Sequence, residues 1–532
     1  MNNIKILDCT LRDGGYINNW NFGENCIKKI IYKLSQSNVD IIECGFLSEK
    51  MLDNADEKSS TLFRDIKNIN NFIINKNENS MYVAMIAYPD KIIEKIPKHN
   101  KNFINGIRVT FHEKEIDEAL KVCEKLDNKG YKVFIQPVGI VSYDDINIIN
   151  LIKKVNKINP YAFYIVDTLG SMYKNDLMRL FYLIDNNLNK NIYIGFHSHN
   201  NLQLSFSNAI GLMSLQTKRI IIIDSSVFGM GRGAGNLCTE LLAQYINKYI
   251  IEKYNINELL EIIDEYLINI YAKNVWGYSV PYCLSAINDC HPNYANYLIE
   301  KQTITIKQIC NILQKIDFNK KTIFDKGYIE KIYLDYQKKV VDDTKSLEKI
   351  KNIIGNKKVL LLAPGKSINT EKNKINKIIK KENLFVISIN FSFDEIKSDM
   401  NFISNLKRVD EFIAVTDIFE KGNNIITSNI ITVGNDKNII INYADLVTEN
   451  PLIIDNAGLM LIKLLIKIGI KEIYCAGFDG YIINQDNYFE SKMELIKSKD
   501  NITKTNEAIK KYLKKLSYNI KINFITKSIY NE

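Results

Sequence analysis

Three side chains carry the sharpest chemical signal in this sequence: Asp13 near its start, and the pair His197-x-His199 far downstream. Alternate residues of a strand point to one face, so both imidazoles can turn toward a single metal ion. Two imidazoles and a carboxylate leave open positions for water or a chelating substrate, as catalysis by a bound cation requires. Such a donor set suits Mn²⁺, Zn²⁺, Co²⁺ or Fe²⁺ better than Mg²⁺. Arg12 stands beside the carboxylate. A cation and a guanidinium on one carbonyl oxygen stabilise the negative charge that develops when a neighbouring C–C bond is made or broken. Alone, a His-x-His also reads as a surface pair on an edge strand, and Arg12 as a buried ion pair with Asp8 or Glu43. The elements that position these residues decide between the readings.

Short β-branched runs at 4–8, 39–44, 82–87, 106–110, 132–136, 163–167, 192–197 and 220–224 alternate with longer amphipathic stretches. One such stretch is 116–126, with apolar residues three and four apart. Eight strand-then-helix units are the arithmetic of a (β/α)₈ TIM barrel, although an open doubly wound sheet shows the same alternation. The polar residues favour the barrel. Asp8 with Arg12 and Asp13, Glu43, Thr110 with His112, Gln136, Asp167, His197 with His199, and Asp224 all fall at or just past strand C-termini. In a barrel those ends converge on one rim, where such enzymes place their chemistry.

Three separated runs then carry a resemblance. Leu7-Asp8-Cys9-Thr10-Leu11-Arg12-Asp13-Gly14-Gly15 is similar to the opening motif of the DRE-TIM metallolyases, a superfamily that includes hydroxymethylglutaryl-CoA lyase, isopropylmalate synthase and 4-hydroxy-2-oxovalerate aldolase. Gly195-Phe196-His197-Ser198-His199-Asn200-Asn201 resembles its metal-binding strand, and Asp224 to Gly231 continuing to Gly233-Ala234-Gly235-Asn236 its last-strand signature. The likeness covers about residues 1–300. It implies that Asp13, His197 and His199 ligate the metal and that Arg12 contacts the substrate carbonyl oxygen and stabilises the enolate. Glu43, Asp167 and Asn236 are then expected at the substrate or as orienting groups, since a carboxylate beside a histidine ligand fixes its tautomer. The pattern departs at Tyr16, where the synthases and the lyase have glutamine and the aldolases a catalytic histidine. Tyr16 could shuttle a proton, although a phenol with a pKa of about 10 needs help from the metal or a cation near neutral pH. His112, Tyr282 and His291 are the other candidates. The run from Trp276 to Tyr294 resembles the helical end of aldolase-like proteins encoded with surface-polysaccharide genes, which implies a sugar-derived carbonyl acceptor.

From about 255 to 349 the pattern is helical, and strand-like runs resume at 359–363, 385–389, 401–404 and 473–476. We therefore expect a barrel domain over 1–250, a helical extension over 251–350 and a Rossmann-like α/β domain over 351–532. Pro364-Gly365-Lys366-Ser367 reads as a tight turn whose N–H groups can hold a phosphate. With Asn390 at a strand end, Asn456-Ala457-Gly458 before an apolar helix, and Asp479 after the last of these strands, it resembles the nucleotide-binding fold of bacterial sialyltransferases and pterin pyrophosphokinase-like proteins. The resemblance implies a nucleotide or nucleotide-sugar at Gly365, Ser367, Asn390 and Asp479. No histidine follows His291, so a histidine base of the sialyltransferase kind is absent from this domain.

The chain of 532 residues carries a formal net charge of +9, spread along its length with no basic block interleaved with aromatics. We expect neither nucleic-acid binding nor a membrane span. No basic-then-apolar leader opens the sequence, and nine cysteines without any Cys-x-x-Cys pair suggest reduced thiols and a cytoplasmic location. The leading expectation is a divalent-metal-dependent aldolase acting through a pyruvate-type enolate, with a sugar-derived or nucleotide-sugar acceptor, assembled as a homo-oligomer. Two rivals stay open: a Claisen-type synthase using an acyl-CoA, and a glycosyltransferase acting through the C-terminal domain.

Overall fold

A computed structural model describes residues 3–49, 58–74, 76–102, 104–409, 424–433, 438–483, 485–490 and 499–531. Contacts divide the chain into two compact units. The first runs to Pro292 and includes Lys321–Ile323; the second holds Asn293–Lys320 and everything from Phe324 onward.

The first unit is a closed barrel of eight parallel strands: β1 (Ile4–Asp8), β2 (Ile41–Leu47), β3 (Met81–Ala87), β4 (Gly106–Phe111), β5 (Lys132–Pro137), β6 (Ala162–Asp167), β7 (Tyr193–Ser198) and β8 (Ile221–Ser225). Closure comes from β1, which pairs with β8 through Ile4↔Ile221 to Asp8↔Ser225 and with β2 through Leu7↔Ile41. A two-residue strand, Leu62–Phe63, adds to the outer end of β2. The alternation along each strand sorts the core in two. Ile6, Ile42, Ile107, Val109, Ile135, Phe163, Ile194 and Ile223 face the surrounding helices, while Leu7, Ile41, Val83, Phe134, Tyr164 and Ile222 fill the barrel. Helix α1 (Ile116–Asn128) shows the matching stripe: Ala119, Leu120, Cys123 and Leu126 are buried at spacings of three or fewer. Each such aliphatic side chain contributes about 1.5–3 kcal/mol on burial, which makes the barrel a rigid support for its rim.

The second unit has a seven-stranded, wholly parallel sheet of β9 (Val359–Leu362), β10 (Phe385–Ile389), β11 (Met400–Ile403), β12 (Asn424–Thr427), β13 (Ile439–Ile441), β14 (Glu472–Ala476) and β15 (Lys521–Phe524). Its order is β13-β12-β11-β10-β9-β14-β15, so the chain reverses direction across the sheet at β9. The strands at β12, β13 and β15 are three or four residues long and were not read from the sequence. An apolar helix, α2 (Ala457–Lys467), is buried against the sheet and capped by Asn456, whose side chain accepts the Leu459 N–H. No helix among the described residues is long and apolar enough to cross a membrane. All nine cysteines are free thiols.

Candidate metal centre

After β1 the chain winds into one helical turn, Thr10–Asp13, with all four residues buried. This turn sets Arg12 against Glu43 of β2 and Asp13 beside His199, just past the end of β7. Asp13 accepts hydrogen bonds from Arg12 Nη1 at 2.5 Å and from Asn236 Nδ2 at 2.7 Å. Its Oδ2 lies 3.8 Å from His199 Nδ1. One ligand atom from each of Asp13, His197 and His199 lies within 4.8 Å of the others, and the two imidazoles stand nearly perpendicular with centroids 5.2 Å apart. His197 belongs to β7, whereas His199 lies just past it and is fixed by an antiparallel bridge to Asn236.

Burial holds His199 neutral, its pKa lowered to about 3. Burial pulls the Asp13 carboxyl upward, but the charge of Arg12, with a smaller contribution from Arg232, overcomes it and keeps Asp13 well below the usual carboxylate range. An ionised carboxylate beside a neutral imidazole is the state that cation binding needs. His199 Nδ1 is buried with no hydrogen-bond partner among the described residues, a costly arrangement for a polar atom unless a ligand claims it. The three residues therefore fit a divalent cation.

Beneath them runs a chain of buried ion pairs. Asp224 Oδ2 lies 3.0 Å from His197 Nδ1, which leaves Nε2 for a cation, and the same carboxylate accepts from Arg108. Arg108 is wholly buried inside the barrel; it donates to Glu43 Oε2 at 2.6 Å and lies 5.0 Å from the centroid of the Tyr164 ring. The Tyr164 ring fits there because residue 195 is glycine, where any Cβ would fall 2.3 Å from it. Gln136 accepts from Arg108 Nε at 2.7 Å when its amide oxygen faces inward. Glu43 Oε2 also takes Arg12 Nε at 2.9 Å. Arg12 thus has two of its donors fixed by Glu43 and Asp13, while Nη2 is buried and unpartnered among the described residues.

The remaining sequence-derived residues fall as follows. Asn236 braces Asp13. Asp167 turns into its own loop, accepting the Ser171 and Met172 N–H groups at 3.0 and 3.2 Å, and burial raises its pKa to about 7. His112 caps a turn: its ring takes the Glu115 N–H, and burial lowers its pKa. Tyr16 is exposed, edge-on to Trp20 at 5.0 Å, with the Arg232 guanidinium 5.6 Å from its ring centroid. Burial, reinforced by Arg232, lowers His291 to about 4. Tyr282 is half-buried on helix Val280–Ile287. Arg108 and Arg232 escaped the sequence reading. The signal for Arg108 was a lone arginine at an inward position of an apolar strand; for Arg232 it was an arginine between two glycines.

In the second unit, Gly365, Asn390 and Asp479 line a cavity of roughly 230 Å³ at the C-terminal edge of the sheet, with Asn456, Tyr481 and Tyr488. Ser367 donates both its N–H, at 2.7 Å, and its hydroxyl to Asp479. Asn390 has a left-handed backbone, φ 56°, and accepts the Ser404 N–H at 2.9 Å.

Fold and cluster together define the first unit as a (β/α)₈ barrel with a candidate metal centre on its C-terminal rim. Residues 3–264 match the HMGL-like family, and this part of the chain belongs to it and so to the DRE-TIM metallolyase superfamily. An oxaloacetate decarboxylase of Mycobacterium tuberculosis is 23% identical over 250 residues, covering 46% of this chain and 70% of the relative. A 4-hydroxy-2-oxovalerate aldolase of Geobacillus genomosp. 3 is 24% identical over 273 residues, covering 50% and 77%. The crystal structure of the N-terminal domain of a putative aldolase from Bacteroides vulgatus aligns at 25% identity with a TM-score of 0.49, covering 58% of this chain and 99% of that one. The family match over residues 3–264 makes the barrel an enzyme domain of a family that bears aldolases and lyases.

Proposed function

We propose that the barrel is a divalent-metal-dependent aldolase that makes or breaks a C–C bond through the enolate of a 2-oxo acid of the pyruvate type. The observation that carries this reading is the pairing of the Asp13, His197 and His199 cluster with a buried, unpartnered Arg12 Nη2. A cation held by the three ligands, with Mn²⁺ our choice, supplies a Lewis acid for the substrate carbonyl. Arg12 Nη2 donates to the oxygen on which charge builds up. Because Glu43 and Asp13 already hold the guanidinium, little reorganisation accompanies that step. Asp224 keeps His197 in the Nδ1–H tautomer, and Arg108 keeps Asp224 in place. Tyr16, on the turn after Asp13 and beside Arg232, is the group to which we assign proton transfer.

We read the second unit as the binding domain for a nucleotide or nucleotide-sugar, supported by its cavity at the strand ends where the sheet order reverses. A sugar-derived carbonyl acceptor and a role in surface-polysaccharide synthesis rest on the sequence likeness of 276–294. The test is exchange of the pyruvate methyl protons in D₂O with Mn²⁺. The purified protein should catalyse it and Asp13→Ala should not; equal rates for both would sink the aldolase reading. Titration with CMP- and UDP-sugars checks the second unit.

A further inference from the structure

Arg232 sits between two glycines in the loop after β8, and contact fixes both. A Cβ on Gly231 would fall 2.3 Å from Asn236 Nδ2 and 2.6 Å from Asp13 Oδ2; one on Gly233, φ +71°, would fall 2.9 Å from Asn201 Oδ1. Hydrogen bonds pin the same loop: Ala234 N donates to Asn201 Oδ1 at 2.9 Å, Asn200 N to Gly235 O at 2.8 Å, and Asn236 N to Gly229 O at 3.0 Å. Gly231, the residue before Arg232, is therefore packed directly against the candidate metal ligand Asp13. The Arg232 side chain lies over Tyr16, which is itself wedged against Trp20. The other two arginines of this region, Arg12 and Arg108, are each tied to two carboxylates. Arg232 has no carboxylate within 4.0 Å among the described residues and stays partly exposed, yet Asp13, His199, His112 and His291 all feel its charge. A guanidinium held on an aromatic platform beside a reaction centre, with its fork of donors open, matches the geometry of a carboxylate or phosphate.

We propose that Arg232 binds a second anionic group of the substrate, a carboxylate or a phosphate, distinct from the carboxylate of the 2-oxo acid head. This rests on the aldolase reading and narrows it: the substrate carries a second anionic group, which lies on the Tyr16 side of the cluster. Arg232 acts in recognition; Arg12, the larger of the charges acting on Asp13, keeps that ligand ionised without it.

The experiment titrates the Mn²⁺-loaded protein calorimetrically with pyruvate, 2-oxoglutarate and 3-phosphohydroxypyruvate, and follows Mn²⁺ occupancy by electron paramagnetic resonance. Wild type should bind one of the two acids with a second anionic group at least about tenfold more tightly than pyruvate, the scale of a charge-assisted hydrogen-bonded pair. The favoured probe tells carboxylate from phosphate. Arg232→Met should erase that preference while Mn²⁺ and pyruvate binding stay within about twofold, and Arg232→Lys should restore part of it. A wild-type protein without the preference, or an Arg232→Met protein that keeps it or loses pyruvate equally, overturns the proposal and leaves the aldolase reading standing. Wild type that takes up Mn²⁺ and binds none of the three acids overturns both.

Discussion

His197 Nδ1 and Asp224 Oδ2 lie 3.0 Å apart, on adjacent strands whose register sets Phe196 opposite Ile223. The contact fixes which imidazole nitrogen faces the cluster. Replacing such an orienting carboxylate costs about 10–100-fold in metal affinity. Asp224→Asn should show that loss in a Mn²⁺ titration while its far-ultraviolet dichroism matches wild type. An unchanged affinity would remove Asp224 from the site.

Arg12 predicts a different signature. Glu43 and Asp13 occupy two of its nitrogens, so only Nη2 is left for substrate. A lysine cannot serve all three directions at once. Arg12→Lys should therefore keep Mn²⁺ and lose about 10²–10³ in the rate of pyruvate proton exchange, the scale of one lost oxyanion donor. Loss of metal with unchanged exchange per bound ion would point to a structural arginine.

Arg108 joins Glu43 and Asp224 deep in the barrel, and its removal leaves two buried carboxylates without their shared cation. Arg108→Met should destabilise the first unit by about 3–5 kcal/mol. The chain's two tryptophans, Trp20 and Trp276, both belong to that unit, so urea unfolding followed by their fluorescence reports on it alone. Adding Glu43→Gln to Arg108→Met should recover part of the loss. If the double variant is less stable than Arg108→Met, the account of unpaired charge is wrong.

Much of this centre was legible in the sequence, and the strand register explains what was not. Asp13, Arg12 and the two histidines stood out by type and spacing, and the barrel followed from eight strand-like runs with polar ends. The sequence offered Asp167 and Glu43 as orienting partners for a histidine ligand, and the partner of His197 is Asp224 instead. In β6 and β7, however, Asp167 pairs with Ser198 and Val166 with His197, so Asp167 turns the other way from His197. The residue neighbouring Phe196↔Ile223 on β8 is Asp224, and a single sequence does not print that register. Arg108 was hidden for a related reason: nothing local says that one inward arginine will meet carboxylates from β2 and β8. In the second unit, β12, β13 and β15 are as short as β9 and β11, and the sequence reading found only the latter two.

Asp167 gives a pH dependence of defined sign. Burial raises its pKa to about 7, above the value of an unfolded aspartate, so the folded protein favours its protonated form. That contribution to stability is complete below the unfolded pKa and is lost as pH rises through about 7. Wild type should thus lose stability relative to Asp167→Asn between pH 4 and 7, by at most about 1.4 kcal/mol per pH unit, and the difference should level off above that range. The tryptophan-detected urea midpoint of both proteins across this range is the measurement. A pH-independent difference would mean that Asp167 is ionised at the same pH in both states.

Tyr16 offers the sharpest separation of proton transfer from recognition. The Arg232 guanidinium lies over the face of the Tyr16 ring, 5.6 Å from its centroid, and no contact joins it to the Tyr16 hydroxyl among the described residues. Tyr16→Phe keeps a ring for Arg232 to rest on and deletes only the hydroxyl. If Tyr16 moves the proton, this variant should lose about 10²–10⁴ in kcat for pyruvate proton exchange, with KM and Mn²⁺ affinity nearly unchanged. His291 is the control: burial and Arg232 both lower its pKa, which leaves it neutral and weakly basic near pH 7. His291→Asn should therefore cost far less in kcat than Tyr16→Phe. The opposite order, with His291→Asn abolishing exchange and Tyr16→Phe raising only KM, would transfer the proton-moving role to His291 and leave Tyr16 as the platform beneath Arg232.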